Sequence, residues 1–402
     1  MNVGIYFSNN PSDLGGGYTF EQEVLISLAS IAQESTHNFI IFSQESIKKN
    51  IRINLSRNVR NVVIPTPNVF ISHLKNFSQN FFPMSPFFKS LCLKFSKLET
   101  CARQNEIDIM VFCTPIYEPI DIPYITIVWD LQHRLQPWFP EVSEKGQWYG
   151  REISHLWSLQ RASFIIAGTK AGQEEISRIY GVPKERIKII PHPTPDFALN
   201  SEEDKKSDYI FNKFGIKTKF LLYPAQFWPH KNHANILLAL KIFKEKYNVP
   251  LSLVFVGSDK GNFSYIQNMT IELQLSDDVH FLGFVSRDDL ASLYKNAFAL
   301  LYPTFFGPEN LPPLEAFALG CPVIASNVSG ADEQLGNAAL LVDPKSPEQI
   351  ADTIYKLYNS MDLRKTLIER GSKRAQQWTG QDFVRSIFSI LNEFEAIRRC
   401  WK

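Results

Sequence analysis

Short continuous apolar runs alternate with helically spaced segments along nearly the whole chain. In the first half the runs are Val3–Phe7, Asn38–Phe42, Ile109–Cys113, Tyr124–Trp129, Phe164–Ala167 and Ile187–Ile190. In the second half they are Phe220–Pro224, Ser252–Val256, Val279–Leu282, Ala299–Tyr302, Pro322–Ala325 and Ala339–Val342. Amphipathic segments such as Phe20–Gln33, His233–Tyr247 and Pro347–Asn359 lie between them. Strands apolar on both faces and separated by helices imply parallel sheets covered on both sides. Two such series imply two doubly wound α/β domains, a number that suits 402 residues.

The series break at Pro191–Ser207, where PHPTPDFALNSEEDKKS is rich in proline and charge and lacks periodicity. The expected domains are therefore residues 1–198 and 207–379. The remaining residues, 380–402, carry Phe383, Ile387, Ile390, Leu391 and Phe394 at helical spacing. That helix needs an apolar partner, which either domain can supply by packing against it.

The 42 Lys and Arg against 41 Asp and Glu give a formal charge of +1, which argues against a general nucleic-acid binder. The average hides one asymmetry. Ser46 to Leu98 contains no acid but nine bases: Lys48, Lys49, Arg52, Arg57, Arg60, Lys75, Lys89, Lys94 and Lys97. Phe70, Phe77, Phe81, Phe82, Phe87, Phe88 and Phe95 share its second half. Bases mixed with large aromatics suit an anionic membrane surface, and equally a solvated basic face over a phenylalanine core. The N-terminus has no signal-peptide pattern, and no apolar run approaches a membrane span. Five cysteines without a C-x-x-C pair read as free thiols. A cytoplasmic protein, at most peripherally attached to the inner face of the cytoplasmic membrane, is expected.

Four segments carry chemistry. Gly15, Gly16 and Gly17 follow the first strand and open a helix, where backbone can approach an anion. Their spacing is not that of a dinucleotide fingerprint, which disfavours a dehydrogenase. Asp130, His133 and Arg134 follow the fourth strand, the end of an α/β sheet where ligands bind. They suit hydroxyl-rich substrates, although Asp130 also suits a turn cap and His133 a core position. Gln226, His230 and Lys231 follow the first strand of the second domain, and Lys231 near a helix N-terminus calls for an anionic partner. Last comes YPTFFGPENLPPLEAFALGCPVIASNVSG, from Tyr302 to Gly330. Here Glu309 and Glu315 flank a helix start, and the N–H groups of Asn310 and Leu311 suit a diphosphate.

Together these residues resemble a GT-B glycosyltransferase of family 4, the retaining, nucleotide-sugar-dependent group that includes bacterial surface-polysaccharide enzymes. Ala225–Asn232 resembles the phosphate-binding turn, and His280–Val285, with Phe284, the loop beside the base. Leu311–Ala325 resembles the signature, and Leu340–Pro344 its L-V-D-P ending. The resemblance implies two Rossmann-like domains facing across a cleft. It also implies transfer of a hexose or deoxyhexose, of mannose or rhamnose type, from a nucleoside-diphosphate sugar. The acceptor would be a growing polysaccharide, an oligosaccharide or lipid-linked chain, as in O-antigen and lipopolysaccharide assembly.

On that resemblance Lys231, with Gln226, His230 and the Gly15–Gly17 amides, stabilises the leaving diphosphate. Glu315 holds the ribose, Glu309 and Asn310 face the donor sugar, and Asp130 and His133 position donor or acceptor. No D-x-D stands at a strand end, so no obligatory metal or other cofactor is expected. Three departures stand out. Gly307 occupies the position of the family's first glutamate, Gln226 that of a phosphate-turn arginine, and Trp129 that of a histidine. Glu309 and His133 are the nearest substitutes. The alternatives are a GT-B nucleotide-sugar epimerase, or a non-catalytic GT-B partner subunit, which the departures would suit.

Overall fold

The computed structural model describes residues 1–7, 15–44, 55–65, 93–94, 96–115, 118–201 and 207–401. Most of the basic, Phe-rich stretch lies outside them: Lys48, Lys49, Arg52, Lys75, Lys89 and the seven phenylalanines named above. The chain divides into two compact units, residues 1–191 with 380–402, and residues 192–379.

The first unit holds a parallel sheet of β1 (Asn2–Tyr6), β2 (Asn38–Ser43), β3 (Val59–Val63), β4 (Ile109–Phe112), β5 (Tyr124–Val128), β6 (Phe164–Ala167) and β7 (Ile187–Ile189). Its order is β3-β2-β1-β4-β5-β6-β7, so the strand order reverses between β1 and β4. Every residue of β4, β5 and β6 is buried, which is why these strands are uninterrupted apolar runs. The sequence reading missed β3. Among the described residues this edge strand pairs only with β2 and is half exposed, so Arg60 and Asn61 are tolerated and no apolar run marks it.

The second unit holds β8 (Phe220–Pro224), β9 (Ser252–Val256), β10 (Val279–Phe281), β11 (Ala299–Tyr302), β12 (Val323–Ser326) and β13 (Ala339–Val342). All pair in parallel in the order β10-β9-β8-β11-β12-β13, so here the reversal falls between β8 and β11. The expected α/β class with two parallel sheets is observed.

Four helices matter below: α1 (Gly16–Ile31), α2 (Gln147–Arg161), α3 (His233–Tyr247) and α4 (Leu311–Ala318). A fifth, α5 (Gly380–Arg398), belongs to the first unit. Phe383 meets Phe20 of α1 edge-on at 5.3 Å, and Phe388 stacks on Phe39 of β2 at 5.3 Å. Gly380 crosses α1 so closely that a Cβ would overlap Ser27 and Glu23. The helix thus buries its apolar stripe, as amphipathic helices must.

The boundary between units falls at Pro191–His192, so residues 192–198 group with the second unit and not with the first. Backbone pairing explains this: Thr194 bridges to Thr379, and its N–H donates to the Trp378 carbonyl at 3.1 Å. Proline removes donors from this segment but leaves Thr194 able to pair.

Candidate functional site

In open α/β sheets, ligands bind beyond the carboxyl ends of strands where the order reverses. In the second unit that point lies between β8 and β11. The segment after β8 is a tight turn, closed by a 3-10 turn at Pro229–Lys231. The Phe227 N–H donates to the Ser258 carbonyl at 3.0 Å, and Gln226 Nε2 to Ser258 Oγ at 3.2 Å. Gly257 is required here, because at φ +152° any Cβ would overlap the Ala225 carbonyl.

Asn232 locks the turn. It adopts the left-handed conformation at φ 63°, which asparagine tolerates, and is buried. Its Nδ2 donates to the carbonyls of Pro303 and Pro344, each at 2.7 Å. One carboxamide thereby ties the ends of β8, β11 and β13 together. Buried Tyr223 adds a bond from its hydroxyl to the Lys231 carbonyl. The sequence reading assigned neither residue a role. The asparagine directly before α3 was the available signal.

This frame presents Lys231, whose Nζ lies 3.1 Å from the Tyr302 hydroxyl at the end of β11. Among the described residues no carboxylate lies within ion-pair distance of it. Tyr302 in turn lies 3.2 Å from Oδ1 of Asn310, the residue before α4. The Asn310 N–H and carbonyl are both held by the Gln334 carboxamide, at 3.0 Å each. Asn310, Tyr302, Gly307 and Gln334 line a small pocket with Pro308, Pro313 and Ser326. Leu311 opens α4, with prolines following, as the fixed φ of proline favours.

His230 is largely buried, its ring stacked on Phe306 at 3.9 Å. Phe284 is exposed in the loop after β10. Gln226 is engaged on both sides, since its Oε1 accepts from the Trp228 indole at 3.1 Å.

The two glutamates differ from expectation. Glu309 does not face this pocket's polar groups. Its side chain is 6% exposed, and Oε1 accepts the His192 N–H at 2.7 Å. Burial pushes its carboxyl up to about 8 and the His192 imidazole down to about 4. Both are therefore neutral near pH 7, and their 3.9 Å approach is not an ion pair. Where a sugar-facing Glu309 was expected, the side chain is held by the His192 backbone. Glu315 is buried on α4, accepts the Tyr294 hydroxyl at 2.7 Å, and is raised by burial to about 7.

In the first unit, Gly15 caps α1 at φ 75°, with Gly16 and Gly17 in its first turn. A Cβ on Gly17 would sit 3.4 Å from the Trp129 ring, in ordinary van der Waals contact. Asp130, past the end of β5, accepts the Gln132 N–H at 3.0 Å and pairs with Arg151 of α2 at 3.2 Å. It remains partly exposed.

His133 is a second correction. It is 0% exposed, stacked on His155 at 5.3 Å, with Nε2 3.2 Å from Glu152 and 3.1 Å from the Tyr180 hydroxyl. Burial lowers its pKa despite the Glu152 carboxylate. Arg134 completes the network, at 2.8 Å from Glu152. A ring closed inside this network cannot touch a substrate, and holds the Asp130 loop from behind.

Among the described residues, no group of three His, Cys, Asp or Glu side chains is placed to hold a metal ion, and no helix is long and apolar enough to cross a membrane.

Comparison with known proteins follows the same division. Residues 206–374 match the family model of group 1 glycosyl transferases. The O-antigen chain mannosyltransferase RfbU of Salmonella typhimurium is 30% identical over 237 residues, 56% of this chain and 62% of that protein. O-antigen chain mannosyltransferase B of Escherichia coli is 26% identical, over 60% of this chain and 64% of that one. The chain thus spans less than two thirds of these relatives. Among solved structures, HepE from Anabaena in complex with UDP and glucose superposes with a TM-score of 0.71 at 16% identity, covering 98% of this chain and 100% of the other. WaaG, a glycosyltransferase involved in lipopolysaccharide biosynthesis, gives 0.67 at 16% identity, over 97% and 99%. The chain has the GT-B fold, and its residues 206–374 are similar to the group 1 glycosyl transferases.

Proposed function

We propose that the chain is a retaining glycosyltransferase that moves a mannosyl residue from GDP-mannose to a lipid-linked oligosaccharide in surface-polysaccharide assembly. The observation that carries this reading is Lys231. Its ammonium stands at the strand reversal of the glycosyl transferase domain, with a neutral hydroxyl and no carboxylate beside it among the described residues. A preorganised cation there meets the charge that develops on a departing diphosphate. The names of two relatives, both O-antigen mannosyltransferases, favour mannose, and HepE, solved in complex with UDP and glucose, favours a nucleotide-linked donor.

In this reading the Leu311 N–H, ahead of Pro312 and Pro313, which have none, meets the diphosphate, and Glu315 receives the ribose at the cost of its Tyr294 bond. Gln226 and His230 complete the anion surroundings, and Phe284 flanks the base. Asp130, held by Arg151, orients the acceptor hydroxyl. No step requires a metal. Peripheral attachment at the cytoplasmic membrane face, through the basic stretch between Ser46 and Leu98, would bring the chain to a lipid-linked acceptor.

The test is a thermal-shift and calorimetric screen over GDP, UDP and dTDP, followed by transfer assays with the matching sugars and a lipid-linked acceptor. A ligand at 100 times its dissociation constant adds about 2.7 kcal/mol of stability. GDP stabilisation with mannosyl transfer is the expected result. A chain stabilised by none of the three overturns the donor site, and conversion of donor without acceptor favours an epimerase.

A further inference from the structure

We propose that Tyr302 is the positioning residue of Lys231, and that Asn310 sets the direction of the hydrogen bonds between them. The proposal rests on the donor-site reading above. A phenol has one proton, so it donates once and accepts from others. Three bonds fix which way it points. Asn310 Nδ2 donates to the Gly307 carbonyl at 2.8 Å, which turns Oδ1 toward Tyr302. At 3.2 Å, Oδ1 can only accept, so the Tyr302 proton goes to Asn310. The hydroxyl lone pairs are then left for Lys231 Nζ at 3.1 Å.

Each link is itself held. The Tyr302 ring is buried, packed edge-on against Tyr223 at 5.3 Å, and Lys231 Nζ lies 5.4 Å from the centre of that ring. The Asn310 backbone is clamped by Gln334 on both its polar groups. Gly307 makes room, because at φ +114° a Cβ would stand 2.8 Å from Asn310 Nδ2. The absence of a side chain at 307 is therefore what lets the carboxamide lie over that backbone.

Every member of this relay is neutral except its end. An ammonium has three donors, and the phenol takes one. Lys231 thus keeps its full charge and further N–H groups for a diphosphate, while its flexible stem is fixed before the ligand arrives. A carboxylate in Tyr302's place would fix the stem equally well but offset the charge.

The test is a double-mutant cycle in the full chain. Nucleoside diphosphate affinity is measured by calorimetry for wild type, Tyr302→Phe, Lys231→Ala and the double variant. Phe keeps the ring packing and removes only the hydroxyl. Tyr302→Phe is expected to weaken binding about tenfold, the scale of one hydrogen bond to a charged group, with the fold retained by circular dichroism. In the Lys231→Ala background it is expected to change nothing. Equal effects in both backgrounds, or none in wild type, overturn the assignment of Tyr302. If Tyr302→Phe does not fold, Asn310→Ala replaces it in the same cycle under the same criteria. Failure of the wild-type chain to bind any nucleoside diphosphate overturns the donor-site reading instead.

Discussion

Oε1 of Glu309 accepts the backbone N–H of His192 at 2.7 Å, tying the loop before α4 to the first residue of the second unit. The bond is largely shielded from solvent, and it places a carboxyl group where ionisation is penalised.

That penalty sets a pH dependence. Glu309 is raised to about 8 and Glu315 to about 7, both chiefly by burial. The folded chain then holds protons that the unfolded chain, with glutamates near 4.3, releases. The unfolded state binds fewer protons over this window, so stability falls as pH rises. It is greatest below about 4.3 from these groups, declines through 7 and 8, and levels above. Glu309→Gln keeps an acceptor for His192 and removes one titration. Melting temperature measured from pH 5 to 9 should fall less steeply in this variant than in wild type.

Lys231→Ala should lower the transfer rate by about 10²–10³, the cost of losing one preorganised charge-stabilising group. Folding should be little affected, since among the described residues Nζ is hydrogen-bonded only to the Tyr302 hydroxyl. Lys231→Arg keeps the charge in a planar fork that does not fit the same bond, and should recover only a minor part. Steady-state rates with circular dichroism as a control decide this.

Gly307→Glu places a carboxylate where the resemblance implies a glutamate, and should nevertheless reduce both activity and stability. The residue sits at φ +114°, and its Cβ would collide with the Asn310 carboxamide. Backbone strain of this kind costs about 1–3 kcal/mol. Chemical denaturation of the variant checks it, and a gain in either quantity would show that the carboxamide is dispensable.

Asp130 and His133 should separate cleanly. His133→Ala removes a buried partner of Glu152 and Tyr180 and should destabilise by about 1–3 kcal/mol. Asp130→Asn breaks a partly exposed pair with Arg151, worth at most about 1 kcal/mol, and should lower turnover without a comparable loss of stability. Denaturation midpoints and turnover numbers, measured on both variants, test the division.

Much of this protein is legible in one dimension. Strands buried on both faces must be apolar throughout, so Phe164–Ala167, Phe220–Pro224, Ser252–Val256 and Ala299–Tyr302 appear in the sequence with the bounds they have in the fold. β3 escaped because an edge strand faces solvent and need not be apolar. Lys231 and Asn310 were identifiable because each lies beside a helix start, a relation set by chain neighbours. Where Glu309 and His133 point was not identifiable, since that depends on residues distant in sequence: His192 for the one, Glu152, His155 and Tyr180 for the other. The same holds for Tyr302, whose bond to Lys231 exists only because β8 and β11 are neighbours in the sheet. Local spacing determined the elements and which residue types stand at their ends. Tertiary packing decided which of those side chains reach solvent, because burial and partner distance are properties of the assembled core.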